Sequence, residues 1–156
     1  ALSLCKQVGI FVGSSQEAGT AQNPFSYEAR EKLLRLLFGE QVQIFPLPDI
    51  GVGNNGTWGE YVLENVKAQY GTYPDLLVSG KETRRINWFD GLEQVRISEL
   101  YIPKSIDISA SQMRRYFLEN QREQWQQYTN PALWGQYDAL RTLVLLSKGY
   151  DRTASL

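Results

Sequence analysis

KQVGIFVG, residues 6–13, is a short apolar run that ends in glycine, the pattern of a strand buried on both faces. Such a strand belongs to a parallel sheet covered by helices, so the fold turns on whether helices and strands alternate after it. They do. Beyond a long polar loop, SSQEAGTAQNPF (14–25), Ser26 precedes YEAREKLLRLLF (27–38). There Glu28/Lys32 and Glu31/Arg35 stand four apart, Leu33, Leu34, Leu37 and Phe38 form an apolar side, and Gly39 marks the stop of a capped helix. QVQIF (41–45) alternates as a strand, and PLPDIGVGNNG (46–56) is loop. TWGEYVLENVKAQYG (57–71) is helical, with Trp58, Val62 and Val66 in one row and Gly71 after its end.

DLLVS (75–79) reads as another buried strand, residues 82–90 as a short helix or turn ending at Asp90-Gly91, and a further strand is expected near Val95 to Ile102. From Ser109 the chain turns helical through SQMRRYFLEN (111–120). After Asn130-Pro131 a long helix carries Leu133, Tyr137, Leu140 and Val144 along one stripe. The expected class is α/β: a Rossmann-like parallel sheet with helices on both faces and a helical C-terminal segment, with ligands at the carboxyl ends of the strands.

At 156 residues the chain has the size of one domain and can bury a core without staples. No apolar run of about 18 residues is present to span a bilayer, so no membrane role is expected. The net charge of -1 supplies no basic field for long nucleic acid, and any nucleotide must be held by a local site. Cys5 is the single cysteine, and ALSLCKQ lacks the order of a signal peptide, so a reducing cytoplasm is expected. The sequence has no histidine, which removes Ser-His-Asp and Cys-His machinery and the commonest transition-metal ligand from these residues.

GVGNNG (51–56) matches G-x-G-x-x-G, yet it is not read as a dinucleotide fingerprint. There the first glycine follows its strand at once and brings a helix N-terminus onto the pyrophosphate. Here Pro46 to Ile50 intervene. Asp75 has the spacing of the ribose-binding acid but begins its strand, on the wrong edge of the sheet.

Four constellations remain. Gly13-Ser14 ends a strand and leads to Asn23-Pro24-Phe25, either a ligand loop or a surface loop closed by a proline turn. In Ile108-Ser109-Ala110-Ser111-Gln112-Met113-Arg114, Ser109 can cap the helix while Ser111 and Arg114 stand over its first turns. Two hydroxyls, free amides, a positive dipole end and a guanidinium suit a phosphate chain; an ordinary cap beside a solvent-facing arginine has the same letters. Ser79-Gly80-Lys81, with Arg84 and Arg85, follows a strand and could meet a polyphosphate or form a solvated face. Trp58 opens a helix and is either core or a stacking platform for a base.

Taken in order, these stretches resemble the nucleotidylyltransferase superfamily, and within it the nicotinamide mononucleotide adenylyltransferases. The likeness rests on Gly13-Ser14, Asn23-Pro24-Phe25, Arg30, Pro46-Leu47-Pro48-Asp49, Trp58 and the I-S-x-[ST]-x-x-R signature at Ile108, Ser109, Ser111 and Arg114. It implies a nucleotidylyltransferase-like α/β domain over 1–120 with a helical extension of the same domain over 121–156. The activity implied is attack of a mononucleotide phosphate on the α-phosphorus of ATP, carried with Mg²⁺, to give NAD or its deamido form and pyrophosphate. Arg114, Ser109 and Ser111 are the implied catalytic residues. Gly13, Ser14, Asn23, Phe25, Arg30, Trp58, Ser79, Gly80 and Ile108 are the implied binding residues, with Trp58 against the nicotinamide ring and no protein metal ligand.

The family's opening strand, Gly-x-Phe-x-Pro loop and H-x-G-H helix start have no counterpart here. Ala1 to Cys5 resemble the later turns of the helix behind that motif, so the resemblance places its first, central strand upstream. Lys81 stands where relatives often carry a small polar residue such as asparagine, which leaves no adenine contact assigned to it. The expected partners are small-molecule nucleotides and, through Trp134 and Tyr137 of the last helix, a second subunit unless that helix only covers the sheet. The competing readings are another nucleotidylyltransferase, such as cytidylyl or phosphopantetheine adenylyl transfer, and a nucleotide-binding regulatory module without turnover.

Overall fold

The computed structural model describes residues 1–53, 55–80, 86–89 and 95–149. They pack as two units, one of Ile50–Asp107 with Ala1, the other of Leu2–Asp49 with Ile108–Leu156.

In the second unit, strand β1 (Gly9–Gly13) is followed by helix α1 (Tyr27–Phe38) and strand β2 (Gln43–Leu47), which pairs with β1 in parallel from Gly9 opposite Gln43 to Gly13 opposite Leu47. Helix α1 starts as the sequence indicates, with the Ser26 hydroxyl accepting from the Ala29 N–H, and ends at Gly39. The first-turn Glu28 carboxyl sits below its usual range because its own backbone N–H and the Ser26 hydroxyl donate to it.

Strand β2 begins two residues later than the 41–45 alternation suggests, because Gly39–Gln41 form a 3-10 turn. Arg35 holds that turn by donating to the carbonyls of Gly39 and Val42. The strand also runs through Pro46, which faces Val12. A residue without an N–H is tolerated there because, among the described residues, β2 has one strand neighbour.

The same unit closes with α3 (Ala110–Leu118), α4 (Arg122–Gln127), a 3-10 stretch (Pro131–Gln136) and α5 (Tyr137–Leu146). Tyr137, Leu140 and Val144 are buried as the stripe predicts, but 3-10 geometry over 131–136 delays the α-helix by two turns. With Phe117 of α3 and Trp125 of α4 they form the core, edged by Phe25, Leu33, Met113 and Leu133. The rings interlock: Trp125 lies 5.5 Å from Phe117 and 5.3 Å from Tyr137, centroid to centroid. Burial pushes the Tyr137 phenol above its usual range, and its hydroxyl donates to the Tyr116 carbonyl at 3.3 Å. Tyr137 is 1% exposed and so is not free for the subunit contact expected of it, whereas Trp134 is 40% exposed.

In the first unit, α2 (Gly56–Tyr70) leads to β3 (Leu76–Ser79), a 3-10 turn (Ile86–Phe89) and β4 (Ser98–Tyr101), with β3 and β4 parallel from Leu76 opposite Ser98 to Ser79 opposite Tyr101. The expected row of Trp58, Val62 and Val66 is only half-buried; Gly59 and Leu63 are the buried residues of α2. The cause is Trp88, whose backbone lies so close that a Cβ on Gly59 would fall 2.1 Å from its carbonyl oxygen.

Alanine in a helix interior normally gains about 1 kcal/mol over glycine. At Gly59 the overlap is with main chain, which cannot swing away, so Gly59→Ala is expected to destabilise by about 1–3 kcal/mol. Urea unfolding followed by tryptophan emission measures it; a gain in stability would contradict the packing.

The described residues thus form a mixed α/β fold with two short parallel pairs. No described helix is long and apolar enough to cross a membrane.

Candidate functional site

At the carboxyl end of β1 the chain turns sharply, with Ser14 at φ 38°, a left-handed value that costs a non-glycine residue energy. The turn is held from outside by Arg30 on the first turn of α1. Its guanidinium donates to the carbonyls of Gly13 at 2.7 Å and Ser14 at 2.9 Å, and its Nε to the Ser26 carbonyl at 3.3 Å. A planar fork meets several acceptors at once, which a single ammonium cannot reproduce.

Arg30→Lys is therefore expected to cost about 1–3 kcal/mol, read as a lower melting temperature. The Ser14 hydroxyl donates to the Asp49 carboxylate at 3.4 Å, and the Gln16 side-chain amide exchanges two bonds with the Asp49 main chain, at 3.1 and 2.9 Å. Further round the loop, the Asn23 N–H donates to the Thr20 hydroxyl at 2.9 Å and its side-chain amide donates to Glu17. Pro24 is buried, and the Phe25 ring meets Phe117 edge to face at 6.3 Å, so Phe25 anchors the loop in the core.

The I-S-x-S-x-x-R stretch folds as a capped helix start. Ser109 is the N-cap of α3, its hydroxyl accepting from the Gln112 N–H at 3.1 Å, and half-buried Ile108 precedes it. The Arg114 guanidinium donates to the Ser111 hydroxyl at 3.1 Å, so the second hydroxyl and the cation stand together over the first turn. Helix geometry leaves the N–H groups of Ala110 and Ser111 without intrahelical acceptors and gives this end a partial positive charge. That arrangement suits an anion.

In the first unit, Asn55 caps α2 by accepting from the Trp58 N–H at 3.2 Å, and the two loop glycines Gly51 and Gly53 both take φ 74°. The first two glycines of GVGNNG thus supply left-handed backbone ahead of a helix. Trp58 lies 5.3 Å from Tyr61 and meets Trp88 nearly at right angles, 85° at 6.5 Å, which makes an aromatic corner. At the carboxyl ends of β3 and β4 an open cavity of about 360 Å³ is lined by Ser79, Gly80, Lys104 and Ser105 with Val78, Ile102, Pro103 and Ile106. Gly80 lets the β4 exit close on it, a Cβ there falling 3.3 Å from the Ile102 carbonyl, and the Ser79 hydroxyl donates to Glu99 at 2.5 Å. Lys81, Arg84 and Arg85 lie outside the described residues.

Gly13, Ser14 and Arg30 are brought into contact; Ser111 and Arg114 are brought into contact on the helix that Ser109 caps; Ser79 and Gly80 line one cavity; Trp58 stands at the aromatic corner. The sequence reading missed Trp88 and the role of Gln16. Trp88 had one signal, a glycine inside a helix at Gly59, which marks close approach of another chain segment. Gln16 had none, since a side chain that bridges main chain looks like any polar loop residue. Compared with protein-family models and with curated proteins, the chain matches none.

Proposed function

We propose that this protein is a nucleotidylyltransferase that joins nicotinamide or nicotinate mononucleotide to the adenylyl group of ATP. The observation that carries the reading is the start of α3, where the Ser111 hydroxyl and the Arg114 guanidinium stand together over a capped helix end, an arrangement suited to an anion. One further feature supports it: the Trp58–Trp88 corner offers a flat face and an edge to a planar ring.

In the reaction a phosphate oxygen of the mononucleotide attacks the α-phosphorus of ATP. A new P–O bond forms as the bond to the β-phosphate oxygen breaks, and pyrophosphate leaves. No covalent enzyme intermediate and no histidine base are required for that exchange; the protein's part is positioning and neutralisation of charge. Arg114, Ser111 and the amides ahead of α3 would hold phosphate oxygens, and Ser14 and Asn23 the nucleotide beside them. Mg²⁺ enters as part of the Mg-ATP substrate.

The test is chromatographic detection of dinucleotide from Mg-ATP with each mononucleotide, first with this chain at near-stoichiometric concentration and then with the complete product of its gene. Formation of NAD or its deamido form by either supports the reading. No dinucleotide from the complete product overturns it, and nucleotide binding without turnover in that protein would favour a regulatory module.

A further inference from the structure

The loop that carries Ser14 and Asn23 is fastened a second time, from the far end of the chain. Beyond α5 the Lys148 N–H donates to the Gly19 carbonyl at 2.7 Å, and the Lys148 carbonyl accepts from the Ala21 N–H at 2.8 Å, so Thr20 and Lys148 form an isolated parallel bridge. The bridge is anchored in the core. Ser147 is 6% exposed and bonds the carbonyl of Val144, itself 0% exposed, through both its N–H and its hydroxyl. It also reaches the site loop directly, because Thr20 and Asn23 exchange two bonds: the Asn23 N–H to the Thr20 hydroxyl and the Thr20 N–H to the Asn23 carbonyl. Gly149, at φ 94°, then passes beside Ala21, where a Cβ would lie in ordinary contact, 3.5 Å from the alanine methyl.

We propose that the main chain of Lys148 is a positioning group for the nucleotide loop: its bridge to residues 19–21 keeps Asn23 and Ser14 in the arrangement that the proposed adenylyl transfer uses. This rests on the functional reading above. Arg30 fixes the base of the loop, the strap fixes its tip, and neither side chain at 148 nor charge is involved. A loop released at its tip would spend part of its time in other arrangements, and apparent affinity falls by the fraction that remains competent.

The deciding pair of variants is Lys148→Pro, which deletes the donor, and Lys148→Ala, which keeps both main-chain bonds. Ser147, the residue before it, already lies at φ −68°, ψ 142°, the region a residue before proline prefers. Expected for Lys148→Pro are faster hydrogen exchange of the amides of residues 19–23 and a KM for ATP or mononucleotide raised about tenfold with kcat changed less than about twofold. Lys148→Ala should restore both. Gly149→Val, strained at its positive φ, should loosen the same amides without touching residue 148.

Loop amides that exchange no faster in Lys148→Pro than in Lys148→Ala overturn the strap, as does faster exchange with unchanged KM. Should the wild type bind nucleotide without turnover, the adenylyl-transfer reading falls alone and the affinity for ATP by calorimetry replaces KM with the same two outcomes. A wild type that binds neither nucleotide overturns both.

Discussion

Arg114→Ala is expected to lower turnover of the proposed adenylyl transfer about 10²–10³-fold, the usual cost of removing one donor from developing charge. Its melting temperature should stay within roughly 2 °C of the parent, since a half-exposed side chain with one hydrogen bond to Ser111 supports little of the fold. The split between activity and stability decides the reading. An arginine that merely decorates a capped helix would leave turnover unchanged. Ser109→Ala is a less clean probe, because the same hydroxyl caps α3 and its loss costs about 1 kcal/mol of stability by itself. A fall in kcat with KM held would place the Arg114 contact in the transition state, and a rise in KM alone would place it on the bound triphosphate.

The largest effect on stability is expected from Trp125→Ala, at about 3–5 kcal/mol. Trp125 is 2% exposed and packs between Phe117 and Tyr137, so its removal leaves a cavity that the two remaining stiff rings cannot close. For a chain of this size that corresponds to a fall in melting temperature of roughly 6–20 °C, and native stability of about 5–15 kcal/mol would leave little margin. Calorimetry checks it. Phe117 sits on the same helix as Arg114, so any loss of activity in Trp125→Ala should track the unfolded fraction and be recovered on cooling. A loss at temperatures where the variant is fully folded would contradict this.

How much was legible in the sequence depends on how local the cause was. Helix α1 was readable from Ser26, Leu33 to Phe38 and Gly39, because caps and periodicity act within a few residues. The buried stripe Tyr137, Leu140, Val144 was readable for the same reason. Helix α4 was not: REQWQQ is six residues with one apolar side chain, and only the tertiary burial of Trp125 reveals why it coils. The buried face of α2, Gly59 and Leu63, was not legible, because Trp88, which packs on Gly59, is distant in sequence. Among site residues, the capping of α3 by Ser109 was legible from spacing, whereas Arg30 turned out to spend its donors on the carbonyls of Gly13, Ser14 and Ser26. That role needs the turn at Ser14 to exist first.

The unit that contains β1, α1 and α5 is assembled from two stretches of chain, Leu2–Asp49 and Ile108–Leu156, separated by Ile50–Asp107. On a ribosome adding about 5–20 residues per second, the β1–α1–β2 portion therefore emerges roughly 3–12 s before the first residue of α3. During that interval Phe25 and Leu33 have none of Phe117, Trp125, Tyr137, Leu140 or Val144 to pack against. A fragment ending just before Ile108 should accordingly be open to proteases and to chaperones over residues 2–49, whose core partners all lie beyond its end.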